Sequence, residues 1–202
     1  MRLVISTATA ACSVALIDGG RVIAEFHDVV GRGHAERLVP MIGALPGKGR
    51  ADAILVDCGP GSFTGVRVGL AAARALALAW GVPLAGFSTL ALIAAGLDDS
   101  DADDEIGVAI HGGHGELFVQ RLSRHPLACL DEAVSLRPEA AAQRIATRLV
   151  IGSGAQELVS ARGAGEARDA FPRAADARLL PPALAALAAT PIYGRAPDAV
   201  AG

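Results

Sequence analysis

Gly59-Pro60-Gly61-Ser62-Phe63-Thr64-Gly65-Val66-Arg67-Val68-Gly69-Leu70 lies between an apolar run, Ala53-Ile54-Leu55-Val56, and an alanine-rich segment, Ala71 to Trp80. That order predicts a buried strand, a tight glycine loop and a helix over 65–80. Gly59, Gly61 and Gly65 permit positive φ or close backbone approach, and Pro60 stiffens the bend. Ser62 and Thr64 are the N-cap candidates. A loop of this shape aims backbone N–H groups and the positive end of a helix dipole at one spot. Two readings stay open. Gly59, Gly61, Ser62, Thr64 and Gly65 form an anion or nucleotide loop, or the glycines serve packing alone. The loop is not a P-loop, because no lysine follows Gly65. It also misses the dinucleotide fingerprint, which wants glycine where Thr64 stands.

The 202 residues are 52% hydrophobic but only 3% aromatic, so small aliphatic side chains must fill the core. A net charge of −3 argues against a protein that grips nucleic acid alone through a broad basic face. Cys12, Cys58 and Cys129 are odd in number and not in CxxC spacing, which fits buried thiols in a reducing compartment. Ser6, Thr7 and Thr9 interrupt any apolar core of an export signal, and no uninterrupted run of eighteen apolar residues occurs. The expectation is a cytoplasmic protein with no membrane contact.

Working outward, Leu3-Val4-Ile5, Ser13 to Ile17 and Arg21 to Phe26 read as a three-stranded meander turning at Asp18-Gly19-Gly20. A helix is predicted from His34 to about Leu45, with Ala35, Leu38, Val39, Met41 and Ile42 at helical spacing. Pro40 falls inside it and predicts a kink or early stop. Leu84-Ala85-Gly86 is a short strand, and Ser88 or Thr89 caps a helix to about Ala95. Asp98 to Glu105 carries six acids in eight residues and reads as a solvated linker. Its Asp99-x-Asp101-x-Asp103 spacing lacks the glycine and closing glutamate of a calcium loop. Ile106 to Ile110 and Leu117 to Leu122 are strands, Pro138 to Arg148 a helix, and Leu149 to Ile151 a strand entering a second glycine loop, Gly152-Ser153-Gly154. Arg162 to Arg178 reads as exposed, and Pro181-Pro182 as the start of a last helix. A meander followed by alternating helices and strands predicts a ribonuclease-H-like half of the sugar-kinase/actin architecture.

A catalytic set is not apparent. His34 has Leu38 where a second metal ligand would sit one turn on, so it reads as a helix-start or interface histidine. His111, His114 and Glu116 share a turn, as surface residues often do by chance. No Gly-x-Ser-x-Gly elbow occurs. A phosphotransferase would want a carboxylate near the end of the first strand, where this chain has Ser6-Thr7-Ala8-Thr9. On the helix after the glycine loop, Arg67 and Arg74 fall along one stripe of an otherwise apolar surface. Such a helix is expected to be buried, in the core or against another subunit, and the stripe to mark a subunit contact.

The string Gly59 to Leu70 resembles the signature of the TsaB (YeaZ) family, and the likeness extends over residues 2–95. Ala11 to Leu16, His34-Ala35-Glu36-Arg37-Leu38-Val39-Pro40-Met41 and Ser88-Thr89-Leu90 are similar to further family segments, and Pro191-x-Tyr193-x-Arg195 to its terminal motif. Three features depart from the family pattern: Ser6 in place of an aspartate, His111-Gly112-Gly113 in place of an Asp-x-Arg turn, and a short second half. The resemblance implies an α/β, sugar-kinase/actin-like (ASKHA) fold of two ribonuclease-H-like halves, the second reduced. Residues 1–97 would be the half carrying the partner interface. Residues 98–202 would be the smaller half, its end packing back on the first.

The function implied is a non-catalytic scaffold for threonylcarbamoyl transfer to the adenosine beside the tRNA anticodon. The scaffold would pair with a TsaD-like catalytic paralogue, support a TsaE-like ATPase, form a homodimer when alone and meet tRNA only indirectly. The interface would involve His34, Arg37, Leu38, Met41, Val66, Arg67, Leu70 and Arg74. No intrinsic cofactor or metal is expected, with ATP or ADP contacted only within the complex. An autonomous sugar-kinase-like ATPase or phosphotransferase is the alternative, and a glycoprotease-type peptidase the third.

Overall fold

The computed structural model describes residues 1–98 and 103–193. Strands β1 (Arg2–Ser6), β2 (Ala11–Asp18) and β3 (Arg21–Val29) form the antiparallel meander. Gly19 and Gly20 turn it with φ of 53° and 81°, the positive pair that a two-residue hairpin of matching twist demands. β4 (Ala53–Asp57) joins β1 in parallel and β5 (Leu84–Phe87) joins β4, giving the order β3-β2-β1-β4-β5. β1 is covered on both faces, which is why Leu3-Val4-Ile5 is continuously apolar. Leu3, Ile5, Ile54 and Val56 face helices α1 (His34–Ala44) and α2 (Phe63–Trp80). Val4 and Leu55 face the opposite way, into a second core built around α3 (Thr89–Ala95).

The second sheet repeats the plan in miniature. β6 (Glu105–His111) and β7 (Leu117–Arg124) are antiparallel, β8 (Leu127–Cys129) and β9 (Val134–Leu136) pair with β7, and β10 (Leu149–Ile151) and β11 (Glu166–Arg168) continue in parallel from β6. The order β11-β10-β6-β7-β8 is that of the first sheet. The added parallel strands β10 and β11 are only three residues long, and the helices α4 (Pro138–Arg144) and α5 (Ala155–Arg162) are short. Val4, Leu55 and Phe87 of the first lobe share one core with Ile106, Val108 and Leu122 of the second, with α3 between. This is the two-lobed sugar-kinase/actin-like fold with a reduced second lobe.

Several sequence expectations are corrected. Pro40 lies inside α1 without stopping it, and the helix runs on to Ala44. α4 ends at Arg144 rather than 148, because Ile145 is extended. The segment expected to be exposed at 162–178 contains β11 and a 3-10 turn, Ala174–Leu179, whose Ala174, Ala175 and Ala177 are buried. Ser13 Oγ accepts the Ala174 N–H, and the Glu25 carboxylate accepts from Ala175 N–H and Arg173. Small side chains and two polar anchors let that turn dock on the meander without a periodic pattern. Pro182–Ala185 makes a single 3-10 turn instead of a last helix. The calcium-like spacing lies largely outside the described residues, and its Asp103 is bonded to Arg148. Arg195 of the terminal motif also lies outside them.

Candidate functional site

Asp57 ends β4 with its side chain buried, and both oxygens are engaged. Ser6 Oγ donates to Oδ2 at 2.7 Å, Thr89 Oγ1 to Oδ1 at 2.6 Å and Gly59 N–H to Oδ1 at 2.9 Å. One carboxylate thus joins the end of β1, the glycine loop and the start of α3. Burial raises it to about 6, and the hydrogen bonds from Thr89, Ser6 and Gly59 restrain that rise. Sequence reasoning missed Asp57. The only signal was one acid at the end of an apolar strand, with Ser6 in the neighbouring strand. Ser6 stands where the family pattern wants aspartate, and a second carboxylate beside Asp57 would be costly here.

The glycine loop is shaped by close packing. The turn at Thr7–Ala8 crosses over it, so that a Cβ on Gly61 would lie 2.1 Å from Ala8 O and one on Gly65 2.1 Å from Thr7 O. Thr7 Oγ1 donates to Gly65 O at 2.7 Å. Ser62 caps α2, accepting the Gly65 N–H at 3.2 Å, whereas Thr64 lies inside the helix. Ser62 N–H donates to Ala8 O and Gly59 N–H to Asp57. The N–H groups of residues 59, 62 and 65 are therefore bonded within the chain, and an anion at this loop would have to use others.

The predicted interface residues separate into two groups. Leu38 (1% exposed), Met41, Val66 and Leu70 (2% exposed) lie in the chain's own core, so they are not on a docking face. Helical spacing reveals an apolar stripe, and here the chain's own sheet covers it. His34 is buried and its Nε2–H donates to Thr9 O at 2.8 Å, tying the start of α1 to the β1–β2 turn. Arg37 is exposed and pairs with Asp28. Arg67 donates to Phe63 O and Tyr193 Oη, and Arg74 to Ala189 O, so the arginine stripe holds the chain's own C-terminal segment.

What α1 and α2 leave outward is different. Val39 is 67% exposed and Leu78 86%. The chain's own core buries one face of α2, and the other face is turned outward. α2 is the one described helix long and apolar enough, by composition, to cross a membrane, yet its inner face packs on the sheet.

A cleft of about 910 Å³ separates the lobes, with Gly61 and Ser62 on one wall and His111, Gly152 and Ser153 on the other. His111 pairs with Glu157, and Glu116 accepts from Ser135, so the turn at 111–116 does not converge on one point. Among the described residues no three His, Cys, Asp or Glu side chains are grouped to hold a metal ion.

Comparison with known proteins places this geometry. The profile of the family described as "TsaD: tRNA N6-adenosine threonylcarbamoyltransferase" matches residues 27–175. The tRNA threonylcarbamoyladenosine biosynthesis protein TsaB of Escherichia coli (strain K12) is 40% identical over 121 residues, which are 57% of this chain and 52% of that protein. A tRNA N6-adenosine threonylcarbamoyltransferase of Solidesulfovibrio magneticus is 34% identical over 194 residues, 84% of this chain and 52% of that one. The chain thus spans about half the length of these relatives. The structure of YeaZ from Pseudomonas aeruginosa superposes with a TM-score of 0.76 at 28% identity, covering 95% of this chain and 98% of that one. Profile, sequence and structure agree that the chain belongs to the TsaD threonylcarbamoyltransferase family, among its TsaB (YeaZ) members.

Proposed function

We propose that this chain is a non-catalytic subunit of the machinery that makes threonylcarbamoyladenosine in tRNA, docking a TsaD-like paralogue through the outward face of α1 and α2. The observation that carries the reading is the apolar exposure of Val39 and Leu78 on two helices whose opposite faces already fill the chain's own core. Large exposed aliphatic side chains on adjacent helices are what a partner helix pair buries. Asp57 supports the non-catalytic part, because its oxygens hold the glycine loop instead of facing the cleft. The TsaD-like paralogue supplies the transfer chemistry, a TsaE-like ATPase joins the assembly, and tRNA is held mainly by those partners. Alone, the chain pairs with a second copy through the same face.

Light scattering after size exclusion tests this, on the chain alone and mixed with the TsaD-like paralogue. A homodimer that exchanges into a mixed complex is expected. Leu78→Glu should abolish both species while leaving the far-ultraviolet spectrum and melting temperature of the chain unchanged. A wild-type chain that stays monomeric with and without the paralogue refutes the reading. The size of the cleft favours a second reading, ATP or ADP contact within the complex, checked by calorimetric titration of the chain with and without its paralogue.

A further inference from the structure

Residues 186–193 return from the second lobe and cross the open edge of the first sheet. Leu187 and Gly86 exchange both backbone hydrogen bonds, at 3.0 and 2.7 Å, in a single antiparallel bridge to β5. Ile192 N–H donates to Cys58 O at 2.8 Å, Arg74 Nη2 to Ala189 O at 2.7 Å and Arg67 Nη2 to Tyr193 Oη at 3.0 Å. Arg67 is itself fixed by Phe63, whose ring centroid lies 3.2 Å below the guanidinium carbon. None of the side chains from 186 to 193 is fully buried. Beneath this thin strap, however, Cys58 is 0% exposed, and Pro191, Ile192 and Tyr193 form one end wall of the cleft. A segment held by a few partly exposed hydrogen bonds opens at far lower free energy than the core it covers.

We propose that residues 186–193 are a latch that opens locally while the first lobe stays folded, uncovering Cys58, the edge of β5 and the glycine-loop end of the cleft. The inference rests on the chain alone and is independent of what docks on α1 and α2.

The chain carries its own reporters. Cys129 is exposed, Cys12 lies in the core on β2, and Cys58 lies under the latch. While the latch is closed, burial pushes the Cys58 thiol up to about 11 and suppresses the reactive thiolate. The experiment is iodoacetamide labelling of the native full chain, mapped by peptide mass, in the wild type, Arg74→Ala and Tyr193→Phe. Cys129 should react first, Cys58 well before Cys12, and each substitution should speed Cys58 by about fivefold to tenfold with Cys12 unchanged. If Cys58 and Cys12 react together, and rise together in the variants, the strap is a fixed part of the core and the latch is refuted. Fast Cys58 labelling that ignores both substitutions also refutes it, because the opening would then belong to β5.

Discussion

In the first lobe the chain leaves β4 at Asp57, passes a glycine loop and enters a helix of 18 residues. In the second it leaves β10 at Ile151, passes Gly152-Ser153-Gly154 and enters a helix of 8. The backbone crossing is the same in both. A Cβ on Gly61 would meet Ala8 O at 2.1 Å, and one on Gly152 would meet Ala109 O at 2.2 Å. The polar fittings differ. The first loop has a buried carboxylate gathering three donors and a serine cap, and the second has an isoleucine at the strand end and a glycine cap with no side-chain bond. Close packing therefore follows from the shared topology, a strand turning into a helix beneath its neighbour. The carboxylate network is what the first lobe adds to the loop that leads into its long helix α2.

The largest effect should come from the shared feature. Gly61→Ala and Gly152→Ala each force a methyl group into a backbone carbonyl, which no rotamer relieves, and each should cost about 4 kcal/mol in denaturant unfolding. Gly113→Ala, at the tip of the second lobe's hairpin with open space around it, should stay within about 0.5 kcal/mol. If Gly61→Ala is tolerated while Gly152→Ala is not, the crossing is not equivalent in the two lobes and the comparison breaks.

The next effect separates the lobes. Asp57 is raised from 3.8 to about 6, so between those values the folded chain holds a proton that the unfolded chain has released. Stability contributed by this group is therefore present at low pH and lost as pH rises through about 4 to 6. The full loss is on the order of 3 kcal/mol, since each pKa unit is worth about 1.4. Asp57→Asn removes the titration. The variant's unfolding free energy relative to the wild type should rise by that amount from pH 3 to pH 7. Parallel pH profiles for the two proteins would mean that the first loop carries no titrating strut and is fitted like the second.

How much of this could be read from the chain follows the same division. Asp18-Gly19-Gly20 between two strand-like runs and the long string after β4 are local signals, and they led to the meander, the glycine loop and the two-lobed fold. The Asp57 network is not local, because its donors sit at 6, 59 and 89 and meet only when β1, β4 and α3 are assembled. The stripe of Leu38, Met41, Val66 and Leu70 was legible as apolar, but periodicity alone does not say whether the chain's own sheet or a partner covers it. The strap at 186–193 and the turn at 174–179 are held by backbone bonds, small alanines and side chains at 13, 25, 67 and 74, all distant in sequence, so local composition and spacing do not show them.

The smallest effect refines the difference in caps. Ser62 Oγ accepts the Gly65 N–H, one of the donors a helix start leaves without an internal partner. Ser62→Ala removes that acceptor and also shields the N–H from water, so a loss of about 1 kcal/mol is expected. Ser62→Gly should cost only a few tenths, because water reaches the bare N–H where a methyl group would hinder it. Glycine is what the second lobe uses at Gly154, and a Cβ there would lie 2.7 Å from Leu117 Cδ2, so a serine cap would have to displace that buried leucine methyl. The first loop has room because Ser62 is exposed at the cleft wall, where its hydroxyl costs nothing to solvate. Equal losses for Ser62→Ala and Ser62→Gly in thermal unfolding would mean that the hydroxyl does more than cap α2. The two loops would then differ in kind as well as in fittings.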